Sequence, residues 1–558
     1  MPPIVSRKGR RIASKACDAC RIRKVQCIFE GDRSTCRRCS DGNVNCMFLS
    51  DRKQRGPPAR RTHIPPSDFP IGHLTIEHLC SRAVFSSIVE DYIQLVYPVL
   101  PLVHRPSFQK SVEDGLHTSD PAFFRLCLAI CAVTVASIPR RFREYGSEYA
   151  HIGAFVDRSC HMVLLSRIAS ETQWQDKPTM GTIVVSILLT MASHYAARPN
   201  QGWGYASEAI QFFRALELYR KEGYHSLSLL DGEICKRAFW LLFIIQIHDR
   251  LSFIIPHTGL SFDPLRTDWE FLLPLEVDDD ALINEDLRPV SPIPGNIDTP
   301  VRRPLPLISG FVALVKVFLC VVDLLSNGFP GAPPHTYAMT SGTLRTHIFP
   351  ESSTGSARVD TGNALSKSSI SLSALLRIIR QLQHTQEDLP QALKISNVDR
   401  QSQSPPTDSE MPPDLSHQFD IVRANVHITS LYLQSCIIEA CSDAFTSPQA
   451  STIVSSPGDE AGSSPKCTPR TQLWIFRKSL AKELLEVLNF CSSRTLEANG
   501  SSMIVKIREI ASTLLDSDLE ATSDQEAESR QYVSQFAEIL AGLDYMSQAS
   551  IKPPVSVT

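Results

Sequence analysis

The stretch Cys17-Asp-Ala-Cys-Arg-Ile-Arg-Lys-Val-Gln-Cys27, followed after an eight-residue loop by Cys36-Arg-Arg-Cys-Ser-Asp-Gly-Asn-Val-Asn-Cys46, sets six cysteines in two copies of one pattern, CxxCxxxxxxC. Two residues between cysteines let both sulfurs reach one Zn²⁺ at about 2.3 Å, so each copy has metal-ligand spacing. Six ligands are too many for one tetrahedral ion and too few for two separate four-thiolate sites. The count balances if two cysteines bridge a pair of ions, and the doubled unit suggests two similar halves related by a pseudo-twofold. The reading is a metal site, not a disulfide set.

Charge is distributed unevenly around these cysteines. Residues 1–61 carry 16 Lys and Arg against 5 Asp and Glu, a balance of +11, while residues 62–558 carry 40 against 54, a balance of −14. The formal total of −3 therefore hides a basic head on an acidic body. Concentrated positive charge is an electrostatic footprint for phosphate, because each neutralised phosphate releases condensed counterions. A redox-sensitive or purely structural zinc module has no need of that excess. Arg21, Arg23 and Lys24 lie between the second and third cysteines, where the spacing suits a short helix capped by Asp18. Such a helix in the major groove lets a basic side chain meet the O6 and N7 acceptors of guanine. Arg37 and Arg38 follow the first cysteine of the second half, where a helix start and basic groups suit phosphate.

Ala16 to Cys27, together with Cys36-Arg-Arg-Cys39 and Cys46, resembles the DNA-binding domain of the fungal binuclear zinc cluster transcription factors. The resemblance implies two zinc ions as cofactors, one held by Cys17, Cys20, Cys27 and Cys36, the other by Cys36, Cys39, Cys46 and Cys17, with Cys17 and Cys36 bridging. It implies double-stranded DNA as the partner, with Lys24, and Arg23 beside it, at the position that reads a CGG triplet. Two features depart from the family pattern. Gln26 stands where a lysine is common, and the loop from Ile28 to Thr35 lacks the proline usual before the fourth ligand.

A chain of 558 residues exceeds what one hydrophobic core usually serves. The hydrophobic share of 43% and mean hydropathy of −0.07 are those of an ordinary soluble protein. Ten further cysteines, from Cys80 to Cys491, lack paired spacing and mostly lie in apolar runs, which points to buried free thiols and a reducing compartment. Met1 to Lys15 is basic without an apolar run, so no secretory signal is expected. The apolar runs Pro121–Ile138 and Leu307–Ser326 are barely long enough to span a membrane and contain Arg125, Lys316 and Asp323, so they read as core helices. Basic clusters at Arg7–Arg11 and Arg52–Arg61 bracket the cysteines and suit nuclear import, phosphate contact or both.

A second resemblance starts at Asp91. The run Asp91-Tyr-Ile-Gln-Leu-Val-Tyr-Pro-Val-Leu-Pro-Leu-Val-His-Arg-Pro-Ser-Phe108 is similar to the opening of the fungal-specific transcription factor domain, and Glu233 to Phe253, followed by Pro256 and Asp278–Asp280, resembles another of its signatures. Helical apolar spacing runs through Phe123–Ile138, Ile152–Ile168, Met180–Ala197 and Ala206–Tyr219, and again through Ala364–Leu393, Phe419–Ala444 and Leu473–Cys491. The stretches Gly331–Gly362, Ser402–Pro413 and Ser447–Pro469 are rich in Ser, Thr, Pro and Gly and read as mobile insertions whose Ser-Pro and Thr-Pro steps are accessible to phosphorylation.

The expected fold class is all-α, a small two-zinc DNA-binding module followed by a large helical regulatory domain with disordered insertions. The expected divisions are a basic arm at 1–16, the zinc cluster at 17–46, a basic proline-containing linker at 47–84, the helical domain at 85–330, its helical continuation at 331–513 and an acidic tail at 514–558. In that tail, Leu514–Glu520 and Asp524–Glu528 mix acidic with apolar residues, the composition of an activation region or of a solvated helix face. No sustained heptad joins the cluster to Asp91, so a homodimer and a monomer on a single triplet both stay open.

His104, and His248 beside Asp249, invite a catalytic reading. They sit among aromatic helix residues with no HExxH, GxSxG or Walker A pattern, and are more simply structural pairs. Gly202-Trp-Gly204 starts like a dinucleotide fingerprint but reaches Ser207 where the third glycine belongs. Asn499-Gly-Ser501 matches a glycosylation acceptor by chance. The sequence thus points to a nuclear, zinc-dependent DNA-binding transcription factor for RNA polymerase II genes, not an enzyme. Its further expected partners are transcription coactivators and a small-molecule effector, with no membrane. Family habit leans to a secondary-metabolite gene cluster; regulation of carbon or nitrogen utilisation, and a zinc-dependent nuclear interaction protein that reads no DNA, are the alternatives.

Overall fold

The computed structural model describes residues 10–12, 16–23, 25–30, 34–47, 74–170, 173–251, 269–283, 305–321, 337–340, 343–346, 372–395, 413–440, 469–515 and 523–543. The chain divides into two compact units, residues 1–69 and 70–558. Most of the linker, the basic clusters that bracket the cysteines apart from Arg10 and Arg11, most of the three Ser/Pro-rich stretches, and residues 516–520 of the acidic segment lie outside the described residues.

The first unit is built of short pieces. Strand β1 (Arg10–Ile12) pairs antiparallel with β2 (Ile28–Glu30), with Arg11 opposite Phe29. Helices α1 (Asp18–Ile22) and α2 (Arg37–Asp41) are five residues each, far below the length at which an isolated helix holds in water. They exist because each carries one buried cysteine, Cys20 or Cys39, toward a common centre. Asp18 was expected as the cap of α1 and is instead its first helical residue, where its charge still complements the helix start.

The second unit is helical. Its first core is formed by α5 (Pro121–Ser137) packed between α7 (Ile152–Ser170) and α8 (Met180–Tyr195), with α9 (Pro199–Ala215) on the far side of α8. α5 starts at Pro121 behind an Asp120 cap whose carboxylate accepts from the Ala122 N–H at 2.8 Å. Every side chain from Cys127 to Ser137 is then buried, as is every one from Thr182 to Thr190 on α8. Helices apolar all round need neighbours on every side, and each fully buried Leu, Ile or Val contributes about 1.5–3 kcal/mol. Among the described residues no single helix is long and apolar enough to cross a membrane; α5 passes such a test only together with Pro139–Tyr145, across a 102° bend.

Ahead of this core come α3 (Arg82–Asp91), a π-helical turn at Tyr92–Val96 and α4 (Arg105–Glu113); α6 (Phe142–Tyr145) follows α5. The long α10 (Leu229–Leu251) leads to the short α11 (Trp269–Leu272) and α12 (Asp279–Ile283), and α10 packs on α8, α9 and α13 (Ile308–Leu319). The same core continues around α15 (Pro413–Ala440), which touches α13, α14 (Leu372–Glu387), α16 (Pro469–Phe490) and α18 (Ser501–Ser512). Helix α17 (Ser493–Ala498) joins α16 to α18. At Gly310 the approach of α13 to α15 is so close that a Cβ would lie 1.9 Å from Val422 Cγ1.

Three expectations change or narrow. Within the stretch read as mobile, β3 (Tyr337–Thr340) and β4 (Thr343–Thr346) pair antiparallel, with Tyr337 opposite Thr346. The last helix, α19 (Ser523–Leu543), packs on α18 with Phe536 fully buried, so of the two readings of Asp524–Glu528 a helix face is the one that fits, on a helix docked to the body. Helix α9 begins at Pro199, ahead of the expected Ala206, and so contains Gly202-Trp-Gly204. A Cβ on Gly202 would lie 2.6 Å from the His194 ring of α8, which explains the glycine by packing, with no phosphate loop.

Candidate metal centre and nucleic-acid interface

The six cysteines of the first unit converge. Cys17, Cys20, Cys27 and Cys36 have sulfurs within 4.8 Å of one another, and so do Cys17, Cys36, Cys39 and Cys46. Cys17 and Cys36 belong to both groups. Cys17 Sγ lies 3.5 Å from Cys39 Sγ, and Cys20 Sγ lies 3.7 Å from Cys36 Sγ. A disulfide needs about 2.05 Å, and all six are free thiols. Four sulfurs placed about 2.3 Å from one ion in a tetrahedron are about 3.8 Å apart, so each group fits one zinc ion.

The halves repeat with an offset of 19 residues, which carries Cys17, Cys20 and Cys27 onto Cys36, Cys39 and Cys46. Their backbone bonds repeat too. The Cys17 N–H donates to Cys27 Sγ at 3.1 Å, and the Cys36 N–H to Cys46 Sγ at 3.4 Å. The Val25 N–H donates to the Cys20 carbonyl, and the Val44 N–H to the Cys39 carbonyl. A bond from the Asp18 N–H to the Met47 carbonyl closes the unit.

Burial pushes the thiols up. Against it, the Cys20 N–H and the neighbouring thiols hydrogen-bond to Cys17 and bring it down to about 6. Bonds from the Cys39 N–H and the thiols around it likewise outweigh burial at Cys36 and lower it. Cys20, Cys27, Cys39 and Cys46 stay raised, Cys27 to about 11 and Cys39 to about 12, with burial the first cause in each. The two sulfurs common to both groups are the ones whose thiolates are favoured by their hydrogen bonds.

The two halves differ beyond the second cysteine of each. Arg21, Ile22, Arg23 and Lys24 in the first correspond to Ser40, Asp41, Gly42 and Asn43 in the second. The cationic helix end is confined to the first half. Arg23 is exposed, and its Nη1 lies 3.6 Å from where a Gly42 Cβ would stand, so its guanidinium passes over the equivalent position of the other half. The Lys24 residue and the Arg21 side chain lie outside the described residues. Arg37 and Arg38 are exposed on the first turn of α2, with Arg37 Nε 3.5 Å from Asp41 Oδ2.

The second unit holds a polar cluster that sequence reasoning did not assemble. Asp279 accepts from Arg105 Nε at 2.8 Å and from Tyr97 OH at 3.1 Å, and Arg237 Nη2 lies 3.7 Å away. Burial alone would push Asp279 up, but the guanidinium groups of Arg237 and Arg105 outweigh it and hold the carboxyl below its ordinary value. His104 Nδ1 accepts from the Ser107 N–H as the cap of α4, which leaves Nε2 to donate to the Asp279 carbonyl at 2.9 Å. A histidine so engaged is structural. His248 packs against Phe318 and stacks at 25° on Tyr432, and burial drives it well below its ordinary value; the Asp249 side chain lies outside the described residues. Asn499 is buried and donates to the Ile421 carbonyl, so it presents no acceptor for a glycan.

Comparison with known proteins agrees with this geometry. Residues 15–56 match the fungal Zn(2)-Cys(6) binuclear cluster domain, and residues 89–347 match the fungal specific transcription factor domain. The cluster domain binds two zinc ions. Among similar proteins, the maltose fermentation regulatory protein MAL13 of Saccharomyces cerevisiae is 23% identical over 263 residues, 45% of this chain and 52% of that protein. The maltose fermentation regulatory protein MAL63 of the same species is 45% identical over 251 residues, 42% of this chain and 50% of that one. The transcription factor macR of Penicillium terrestre is 22% identical over 223 residues, 35% of this chain and 24% of its own length. The chain thus spans about half the length of the maltose regulators it matches. No solved structure gives a significant match. The matched domains and relatives are regulators, not enzymes. The chain carries both domains of the fungal binuclear zinc cluster transcription regulators, the cluster domain in its first unit and the fungal specific transcription factor domain over residues 89–347 of its helical body.

Proposed function

We propose that this protein is a nuclear, sequence-specific DNA-binding regulator of RNA polymerase II transcription, and that the first half of its cluster reads a CGG-type triplet. The supporting observation is the asymmetry of a symmetric module. Two halves share cysteine spacing and backbone bonds, yet only the first carries Arg21, Arg23 and Lys24 beyond its second cysteine. In this reading Cys17, Cys20, Cys27 and Cys36 hold one ion, Cys36, Cys39, Cys46 and Cys17 hold the other, and Cys17 and Cys36 bridge. Zinc, when bound, ties together a unit too short for an apolar core, worth on the order of 10 kcal/mol of folding free energy in structural sites. Lys24 and Arg23 donate to guanine O6 and N7, while Arg21, Arg37 and Arg38 meet phosphate and set register.

For the pathway, the maltose-named relatives favour genes of carbon-source use over the secondary-metabolite cluster expected from family habit. Crosslinking the protein to chromatin in its native cells and sequencing the bound DNA tests both points. Peaks on CGG triplets upstream of sugar-utilisation genes are expected, with triplet spacing reporting monomer or dimer. Peaks at one block of biosynthetic genes would restore the other pathway. No enriched sequence at all would overturn DNA reading in favour of an interaction protein.

A further inference from the structure

The helical body contains a cavity of about 440 Å³ where distant parts of the chain meet, with Leu95 on one side, Ile138 to Glu144 on another and Arg494 to Ala498 on the third. Three guanidinium groups line it. Arg140 is answered by Glu497 at 3.0 Å and also donates to the Gly542 carbonyl at 2.9 Å. Arg141 is answered by Glu144 at 2.9 Å and by Asp91, the latter also hydrogen-bonded by Tyr145 OH. Arg494 has no hydrogen bond or ion pair among the described residues, although it faces the same space. The acidic groups thus bond to the first two arginines, while Arg494 acts on Asp91 only through its charge, without a bond to it. Leu95, Ile138 and Ala498 supply an apolar wall beside it.

A cavity in the size range of small-molecule sites, with an apolar wall and a guanidinium that makes no hydrogen bond or ion pair among the described residues, has the composition of a site for an amphipathic anion. We propose that it binds a small organic anion, a carboxylate or phosphate monoester on a short apolar body, anchored by Arg494 with its apolar part against Leu95 and Ile138. Such a ligand joins the turn after α5 to α17, and through Arg140 to the end of α19, so it ties the N-terminal and C-terminal parts of the body together. The site stands whether or not the first unit reads DNA.

The test is calorimetric titration of the full-length, zinc-loaded protein with benzoate, phenyl phosphate and benzyl alcohol, which share a ring and differ in charge. The two anions are expected to bind at least about tenfold more tightly than the alcohol, because a charge-assisted bond is worth that much or more. Arg494→Gln should cost the anions a similar factor and leave the alcohol unchanged, and Arg494→Lys should restore part of the loss. Arg494 is exposed, so both variants should keep the helical circular dichroism spectrum. The preference between benzoate and phenyl phosphate identifies the anionic group. Equal anion binding by Arg494→Gln, equal binding of alcohol and benzoate, or no binding of any probe at millimolar concentration would overturn the proposal.

Discussion

Cys17 and Cys36 each lie within 4.8 Å of every sulfur in both four-thiol groups, whereas Cys20, Cys27, Cys39 and Cys46 each belong to one. The six cysteines are therefore not equivalent. Removing a shared sulfur strips a ligand from two tetrahedra, and removing an unshared one strips it from one. Cys17→Ser or Cys36→Ser should abolish binding of both zinc ions, while Cys20→Ser or Cys39→Ser should leave a fraction of protein with one ion. Native mass measurement reads these states directly, and equal behaviour of all four variants would argue against bridging.

Asp279 joins the motif segments of the helical body through Tyr97, Arg105 and Arg237. Replacing it with asparagine leaves two largely buried guanidinium groups uncompensated, a loss of about 3–5 kcal/mol for a buried pair. Its carboxyl is held below its ordinary value, so its contribution to stability is complete above the unfolded pKa of about 3.9 and fades as pH falls through the lower folded value. Denaturant titration should show the difference between the wild-type protein and Asp279→Asn narrowing on acidification. A constant difference would mean that the ion pairs contribute little.

Lys506 is buried on α18 and donates to Thr429 Oγ1 at 2.7 Å, with no carboxylate at ion-pair distance among the described residues. Burial lowers it to about 7. Between that value and the unfolded pKa of about 10.4, the unfolded chain binds the extra proton, so stability rises with pH by about 1.4 kcal/mol per unit from this group alone. Lys506→Met should remove that slope and stabilise the protein near neutral pH. A variant less stable than wild type at pH 7 would show instead that the ammonium is well solvated or paired.

Much of this architecture is legible in the amino-acid sequence. Apolar runs found α5, α7, α8, α13, α14, α15 and α16 because a buried helix needs apolar residues on most of its faces, and a family signature marked α10. The cysteine spacing found the metal centre because thiolate geometry is local. The misses have physical reasons. The acidic start of α19 masked the series Val533, Phe536, Leu540 and Leu543, whose spacing marks a docked face. Pro199, a good first residue for a helix, was hidden by the nearby glycines Gly202 and Gly204. The Asp279 cluster joins partners 174 and 182 residues apart, and nothing in the local pattern of either segment reveals a partner at that distance.

The central claim is that the chain reads DNA through the basic first half of a zinc-folded module. Its most direct measurement is fluorescence anisotropy of the full-length protein on a duplex carrying a CGG triplet and on the same duplex with the triplet scrambled, repeated for Lys24→Ala and after zinc chelation. Tighter binding to the CGG duplex is expected, lost on chelation. Lys24→Ala is expected to narrow the discrimination by about 1–3 kcal/mol, the worth of one good base contact. Equal affinity for both duplexes, or discrimination that survives both chelation and Lys24→Ala, would contradict that claim.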